Sequence, residues 1–320
     1  MVIKISYLKT LRFTRLSKLS KDDWEKFRKA GKIAASTLRK AKKYMTAGKK
    51  LKNICDSLEN DIRRQSAEPA FPVNISVNQI AAHYSSPADD ELALPERAIV
   101  KIDLGAHIDG RLSDTAKTYL IGPNQIYKEL KETAELALEK AIKVVKPGIR
   151  PGDIGEVIET TIKEQELTPI TDLSGHLIEP WKLHAGVSIP NNKPFFGFLG
   201  PKLKRGQIIA IEPFVTTAEG SEKVYDESYS YIFSQSGNNA GTPDAKKILK
   251  AVKKYHRLPF AIRWLDGLLP ATRLYEGFKE LLARKSLTRY PMLVSESQTP
   301  VAQAEHTVII TRNGCEVITR

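Results

Sequence analysis

The chain has few cysteines, few methionines and no long apolar segment. Only Cys55 and Cys315 occur among its 320 residues, far apart and in no metal-ligand spacing. They exclude a disulfide framework and favour a reducing compartment. Three methionines are too few for a thioether-rich surface. No apolar run approaches the ~20 residues that cross a bilayer, so we expect a cytoplasmic protein that is not held in a membrane.

Acidic residues are scarce at the start of the chain. Residues 1–50 contain sixteen Lys and Arg against three acids, and the remaining 270 residues carry 34 of each sign. The formal net charge of +13 therefore belongs to this end. Residues 1–21 are interpreted as a basic N-terminal tail or edge strand, with an organellar transit peptide as an alternative. The basic end is interpreted first as a solvated helix face, and the alternative is a surface that binds nucleic acid, including ribosomal RNA, or an anionic membrane.

The stretch AIVKIDLGAHIDGRLSDTAKT, residues 98–118, has the pattern of a β-hairpin. Its first arm alternates apolar and polar residues, and Asp109-Gly110 is a strong turn signal. A two-residue turn there places Ile108 opposite Arg111, so that Asp103 and Asp114 project from the same face. Two acids on one face repel each other unless a cation lies between them. The hairpin therefore predicts either a metal centre or an ordinary solvated sheet face.

A helix–glycine–helix pattern occurs twice, one hundred residues apart. Gly48 and Gly148 separate two amphipathic helices in each copy, and strand-like runs follow both pairs. We interpret this as an internal duplication that gives a pseudo-symmetric α+β domain, with chance similarity of two helix pairs as the alternative. Residues of about 243–289 look helical and interrupt the later strands. They are predicted to be an insertion packed on the sheet domain, since they are short for a separate core.

Acids also interrupt two later apolar strands. Glu212 lies within IIAIEPFV and Glu305 precedes HTVII, where a lone buried carboxylate would be costly. With Asp103, Asp114 and His176 they form the best set of candidate ligands. Two divalent ions shared among these side chains would make such burial tolerable and could activate a water molecule. Oxygen-rich ligands suit Mn, Fe(II), Co or Zn, and the sequence does not choose among them.

Five motifs in order, KIDLGAHIDGRLSDTA, DLSGH, KLHAGVSIP, AIEPF and AQAEHT, resemble those of type II methionine aminopeptidases of the archaeal kind. The resemblance implies the duplicated "pita-bread" fold over residues 22–320, with the helical insertion that separates type II from type I. It also implies removal of the initiator methionine from nascent chains with a small second residue. The implied partners are nascent peptide N-termini, and the implied state is a monomer. The positive charge of residues 1–50, independently of the resemblance, suggests that they help to hold the protein near ribosomes.

The resemblance also assigns roles to individual residues. The two metal ions would be held by Asp103, Asp114, His176, Glu212 and Glu305, of which Glu212 would also act as general base. His83 and His184 would contact the substrate and stabilise the tetrahedral intermediate. Phe71 and Tyr290 would line the methionine pocket.

Two residues depart from the family pattern. Ala304 stands where a Phe is usual and is expected to reshape the pocket wall, and Asp172 replaces an Asn and adds a negative charge near the site.

Two alternative functions stay open. One is a proline-directed peptidase of the same fold, in which the resemblance places the two glutamates closer together in sequence. The other is a non-catalytic relative that binds RNA or the ribosome, although such relatives lose metal ligands.

Overall fold

The computed structural model describes residues 19–194, 200–228 and 230–320, so most of the predicted N-terminal tail lies outside the described residues. Its helices are α1 (Lys21–Ala41), α2 (Leu51–Arg64), α3 (Gln125–Val144), α4 (Pro151–Lys163), α5 (Pro243–Val252) and α6 (Ala271–Ala283). Short 3-10 helices cover Lys42–Tyr44, Lys253–Tyr255 and Ile262–Leu265. Within these ranges, no helix is long and apolar enough to cross a membrane.

The strands are β1 (Glu68–Pro69), β2 (Asn74–Val77), β3 (Ile80–Ala82), β4 (Ala98–Leu104), β5 (Ala106–Ile108), β6 (Arg111–Leu112), β7 (Thr115–Ile121), β8 (Thr168–Pro169), β9 (Ser174–Ile178), β10 (Ser188–Pro190), β11 (Ile208–Ile211), β12 (Phe214–Thr216), β13 (Val224–Asp226), β14 (Ile232–Gln235), β15 (Phe260–Ala261), β16 (Leu287–Tyr290), β17 (Leu293–Ser295), β18 (Val301–Gln303), β19 (His306–Ile310) and β20 (Cys315–Val317).

The predicted hairpin has the register that its turn implies. Ile108 lies opposite Arg111 in β5 and β6, and β4 continues the same register against β7. Asp109 and Gly110 both have positive φ, of 47° and 76°, as the mirror-image turn requires. The hairpin is divided between two sheets, since β4 and β7 join β2 whereas β5 and β6 join β1. Asp103 and Asp114 lie where the two parts separate.

The two copies of the duplicated unit build two equivalent halves. In the first half α1 and α2 pack on the sheet β2-β4-β7, and in the second α3 and α4 pack on the sheets β18-β12-β8 and β10-β9-β11-β19-β20. Each half has its own apolar core. Residues one hundred positions apart occupy both cores: Leu38 and Leu138, Ile54 and Ile154, Leu58 and Ile158, Ile62 and Ile162. The predicted duplication is therefore visible in the packing as well as in the sequence.

The two halves meet along β7 and the segment from β18 to β19. Thr118 Oγ1 donates a hydrogen bond of 2.7 Å to the Gln303 carbonyl, and Glu305 N donates one of 3.0 Å to the Ala116 carbonyl. Thr115 Oγ1 donates in turn to the Glu305 carbonyl at 2.8 Å. These bonds place the acid-bearing strand ends of both halves beside one another.

The segment predicted as a helical insertion contains more than helices. Helices α5 and α6 pack with the sheet β15-β14-β16, and an apolar core forms among them. The stretch AIRWLDGLL, which looks helical in sequence, forms the end of β15 and a 3-10 turn instead. Its helical appearance came from apolar spacing, which does not separate a short buried strand followed by a turn from a helix. The boundaries of the insertion stay a prediction.

Gly48 and Gly148 give a test of the duplication. Both have positive φ (80° and 92°), and nothing lies within 4 Å of a Cβ added at either position. We expect Gly48→Ala and Gly148→Ala to lower the free energy of unfolding by similar amounts, about 1 kcal/mol each, because only the backbone is strained. Urea denaturation measures this. Gly31→Ala should cost more, since its Cβ would lie 2.2 Å from the Ile318 carbonyl oxygen. Unequal costs at 48 and 148 would contradict the equivalence of the two turns.

Candidate metal and peptidase site

The five predicted ligand residues come together at the junction of the two halves. Asp103 and Asp114 arrive from the hairpin, His176 from β9, Glu212 from the end of β11 and Glu305 from the start of β19. A cavity of about 320 Å³ opens between them, and the first four of these residues line it. Glu305 lies behind this wall and is 1% exposed.

Three of these side chains could share one metal ion. One ligand atom each of Asp114, His176 and Glu305 lies within 4.8 Å of the other two. His176 Nε2 lies 3.3 Å from Asp114 Oδ2 and 3.7 Å from Glu212 Oε1. Strand pairing sets this geometry, because β9 and β19 both pair with β11. The spacing suits a cation between the groups.

The backbone around Asp114 is fixed from the opposite half. Asp114 N donates to Thr307 Oγ1 at 2.8 Å, and the same hydroxyl donates to the Asp114 carbonyl at 2.7 Å. The backbone that carries the Asp114 carboxylate is thereby held against β19. Thr307 follows Glu305 at the strand period of two. It was not among the predicted site residues, although that period could have pointed to it.

Burial dominates the electrostatics of the carboxylates. It raises the pKa of Asp114 to about 7 and the pKa values of Asp103, Glu212 and Glu305 well above their ordinary range. Repulsion from neighbouring carboxylates, that of Asp114 first, adds to the shift of the other three. No described residue donates a hydrogen bond to Asp103 Oδ1, Asp114 Oδ1 or either Glu305 carboxylate oxygen. Buried oxygens without donors are the groups that a divalent cation would satisfy.

The two predicted substrate-contacting histidines lie at the cavity wall with Tyr290. The His83 ring lies 5.8 Å from the Tyr290 ring, and the His184 ring lies 4.4 Å from that of His176. His83 has φ of 64°, a left-handed conformation that is strained in a non-glycine residue, and its Nδ1 lies 3.2 Å from the Pro291 carbonyl oxygen. Burial lowers the pKa of His83, and burial with the neighbouring His176 lowers that of His184 to about 3. Both rings are therefore neutral at pH 7.

The rest of the cavity wall is mostly apolar. Phe71 and Tyr290, the two residues predicted for a methionine pocket, both line this cavity. Other apolar residues of the wall were not predicted, because they come from segments far apart in sequence: Ala82, Leu173, Leu183, Phe214, Ile232, Pro259 and Leu293.

The two departures from the family pattern have different positions. Asp172 lines the cavity, and one of its oxygens accepts a hydrogen bond from Val224 N at 3.2 Å. Ala304 instead packs in the core of the second half and is 4% exposed. Alternation explains this, because Gln303 and Glu305 take the face of the strand that looks toward the site. The expectation that Ala304 reshapes the pocket wall therefore finds no contact to support it in the described part of the chain.

Gln303 is a further site residue that the motifs did not single out. It is 1% exposed, and its Nε2 lies 3.5 Å from Glu212 Oε2. Its amide also lowers the pKa of Asp103, against the larger opposing effect of burial. Gln303 thus lies between Asp103 of the first half and Glu212 of the second.

A family model describing metallopeptidase family M24 matches residues 25–312. The chain belongs to this family. Methionine aminopeptidase of Thermococcus onnurineus is 39% identical over 301 residues, which are 93% of this chain and 100% of the relative. The crystal structure of methionine aminopeptidase from Thermotoga maritima is 27% identical, covers 94% of this chain and 98% of its own, and superposes with a TM-score of 0.69. These similarities confirm the duplicated pita-bread fold and a metallopeptidase activity.

Prolidase from Pyrococcus furiosus shares the fold as well. It has a TM-score of 0.60 at 19% identity, and the match covers 94% of this chain but 64% of the prolidase. At that identity the similarity concerns the fold alone.

The raised pKa of Asp114 predicts how pH affects the metal-stripped protein. An unfolded Asp titrates near 3.9, and folded Asp114 near 7, so between these values the folded state binds the extra proton. The contribution of Asp114 to stability is therefore lost as pH rises from about 4 to about 7. We expect Asp114→Asn to become more stable relative to wild type over this range, by on the order of 2–4 kcal/mol.

The comparison with Asp114→Asn isolates this carboxyl from the buried histidines, whose lowered pKa values act in the opposite direction. Urea denaturation of both stripped proteins at several pH values measures the difference. Added Mn²⁺ should stabilise wild type increasingly toward pH 7.5, since protons compete with the ion for the carboxylates. A pH-independent difference between the two proteins would contradict the assignment.

Proposed function

We propose that this chain is a methionine aminopeptidase that removes the initiator methionine from nascent polypeptides with a small second residue. The observation that carries this is the cluster of four carboxylates and His176 beside a mostly apolar cavity of about 320 Å³. The acids supply a metal centre, and the apolar wall suits one unbranched thioether side chain. Relatives that match nearly the full chain and carry this name support the same activity.

Two divalent ions would be held by Asp103, Asp114, His176, Glu212 and Glu305. Carboxylate oxygens with one imidazole suit Mn, Fe(II), Co or Zn. When bound, the ions would polarise the scissile carbonyl and supply a nucleophilic water at neutral pH. The donor-less oxygens of Asp103, Asp114 and Glu305 support these residues as ligands of the ions.

The chain's own side chains would bind the substrate and move its protons. Glu212 reaches the cavity with a raised pKa, which suits a carboxylate that accepts a proton and returns it to the leaving amine. The neutral imidazole of His184 can donate one hydrogen bond to the carbonyl oxygen as negative charge develops there. His83 has its single N–H at Nδ1, facing the Pro291 carbonyl oxygen, so it would contact the substrate through Nε2 as a hydrogen-bond acceptor. Phe71 and Tyr290 would hold the methionine side chain, with the burial of its methylene groups favouring binding.

We further propose the type II class of the archaeal kind. The insertion with α5, α6 and its own core supports it, as does the similarity to archaeal relatives along the chain. Residues 22–320 would then form one catalytic domain with an insertion at about 243–289. The separation of Glu212 and Glu305 by 92 intervening residues favours this class over the proline-directed peptidases.

A release assay tests the activity and the metal site together. Metal-stripped protein is reconstituted with Mn, Fe(II), Co or Zn and given Met-Ala-Ser or an Xaa-Pro peptide. We expect methionine release from Met-Ala-Ser, and a loss of at least about 10³-fold in kcat/KM for His176→Ala, because one ligand is removed. His306→Ala is the matched control. His306 is the strand neighbour of Glu305 and contacts Thr319 Oγ1 at 2.9 Å, outside the cavity lining. Hydrolysis of Xaa-Pro peptides alone would favour the prolidase alternative.

We also propose that exposed lysines after α1 hold the enzyme near ribosomes. Lys40 and Lys50 are engaged with Asp61 and Glu91 at 3.0 and 2.5 Å. Lys42, Lys43 and Lys49 are exposed, and they form the basic group available to phosphates.

Reversing the charge of these three lysines to Glu should lower co-sedimentation with ribosomes about tenfold at low salt, because phosphate contacts are lost. Turnover of Met-Ala-Ser should be unchanged. Lys246→Glu, Lys247→Glu and Lys250→Glu on exposed positions of α5 make the same charge change elsewhere. Equal co-sedimentation of both triple variants and wild type would contradict the proposal.

A further inference from the structure

A buried ion pair connects the first half to the insertion. Glu59 on α2 is 1% exposed, and Arg263, which follows β15, is 7% exposed. Arg263 Nη2 donates to Glu59 Oε1, and Arg263 Nε donates to Asp56 Oδ1 at 3.3 Å. Burial raises the pKa of Glu59, and the guanidinium opposes that shift. Removing either partner would leave the other charge buried with a weaker counter-charge, since Arg263 would keep Asp56 at 3.3 Å and Glu59 would keep Arg63 at 4.0 Å.

The pair also fixes two loops that carry cavity residues. Glu59 Oε1 accepts a hydrogen bond of 3.1 Å from Val73 N, two residues after Phe71. Arg263 Nη1 donates to Ser85 Oγ at 2.6 Å and to the Ser86 carbonyl at 3.1 Å, two and three residues after His83. These contacts restrain the loop before β2, which carries Phe71, and the loop after β3, which carries His83.

The same ion pair also contacts the insertion, next to the strands that form the other wall of the cavity. Trp264 Nε1 donates to Glu59 Oε2 at 2.7 Å, so that two consecutive residues of the insertion bind one carboxylate. Arg263 follows β15, whose Ala261 lies opposite Ile232 of β14, and Ile232 lies opposite Tyr290 of β16. Ile232, Tyr290 and Pro259 all line the cavity. The Glu59–Arg263 pair is therefore linked to both walls.

The second half offers the natural comparison. Glu159 occupies the equivalent position on α4, where Oε2 accepts from Lys193 N at 2.7 Å and Oε1 accepts from Lys163 Nζ at 2.6 Å. Like Glu59, it binds a loop amide and a cation. Unlike Glu59, it is partly exposed and its contacts stay within its own half. Only the first-half glutamate combines loop capping with a bond to the insertion among the described residues.

We propose that Glu59 and Arg263 are positioning residues for the substrate's first side chain, which set the distance between the wall of Phe71 and His83 and the wall of Tyr290 and Pro259. This rests on the proposed methionine aminopeptidase function. The metal ligands lie on other elements, so the pair governs binding of the methionine side chain more than the chemistry at the carbonyl.

The kinetics of the Glu59→Gln variant on Met-Ala-Ser test this. Arg263 and Trp264 both donate hydrogen bonds to Glu59, and the amide N–H of a Gln side chain would face one of these donors, so that one hydrogen bond is lost. We expect KM to rise about tenfold while kcat changes less than about threefold, the pattern of lost side-chain binding. Glu159→Gln is the matched control and should leave both constants within about twofold of wild type, since its contacts stay away from the cavity. Binding of free methionine, measured by calorimetry, should weaken only in Glu59→Gln.

The double variant Glu59→Gln with Arg263→Met separates positioning from stability. Removing both charges relieves the uncompensated burial, so the melting temperature should return toward wild type while KM stays raised. A KM that recovers together with stability would overturn the proposal, as would an unchanged KM in Glu59→Gln. Absence of methionine release by wild type would instead reject the proposed function, and calorimetry with free methionine would then still report whether Glu59 shapes the cavity.

Discussion

The main physical constraint on this structure is that four carboxylates are buried together where its two halves meet. Each carboxylate loses its hydration there, and the four repel one another. Asp103, Asp114, Glu212 and Glu305 are held close together with most of their surface removed from water, and burial raises every one of their pKa values. A fold that gathers these groups without cations must keep protons on some of them near neutral pH. Binding of divalent ions exchanges those protons for metal, so folding, metal affinity and pH are linked through the same oxygens.

The duplicated architecture explains why the cluster lies where it does. Neither half holds a complete set, since the hairpin acids come from the first half and His176, Glu212 and Glu305 from the second. The hydrogen bonds that β7 makes to the segment around Glu305 join the halves at the ligands themselves. Loosening the junction would therefore separate ligands before it exposed either apolar core. A site built in this way needs both copies of the unit.

The sequence predicted the parts of the site that local rules determine. The Asp109-Gly110 turn fixes the hairpin register, so the shared face of Asp103 and Asp114 follows from counting, and an acid inside an apolar strand indicates a partner. Contacts between distant segments were beyond such rules. Nothing near Glu59 distinguishes it from other acids of an amphipathic helix, and Arg263 lies in a stretch that looks helical but forms a strand end and a turn. The His83 ring likewise contacts the carbonyl of Pro291, which is 208 residues away.

The insertion poses a separate physical problem, because it buries an apolar core of its own. An element that satisfies most of its hydrophobic surface internally gains little from one particular orientation against its neighbour. Directional polar contacts restrict that freedom, since a guanidinium with three kinds of acceptor around it fits only one arrangement. Such a buried pair adds little net stability compared with apolar packing, but any misplaced arrangement leaves charges unpaired. The cavity lies between the insertion and the part of the chain that carries the candidate metal ligands, and the Glu59–Arg263 pair connects these two parts.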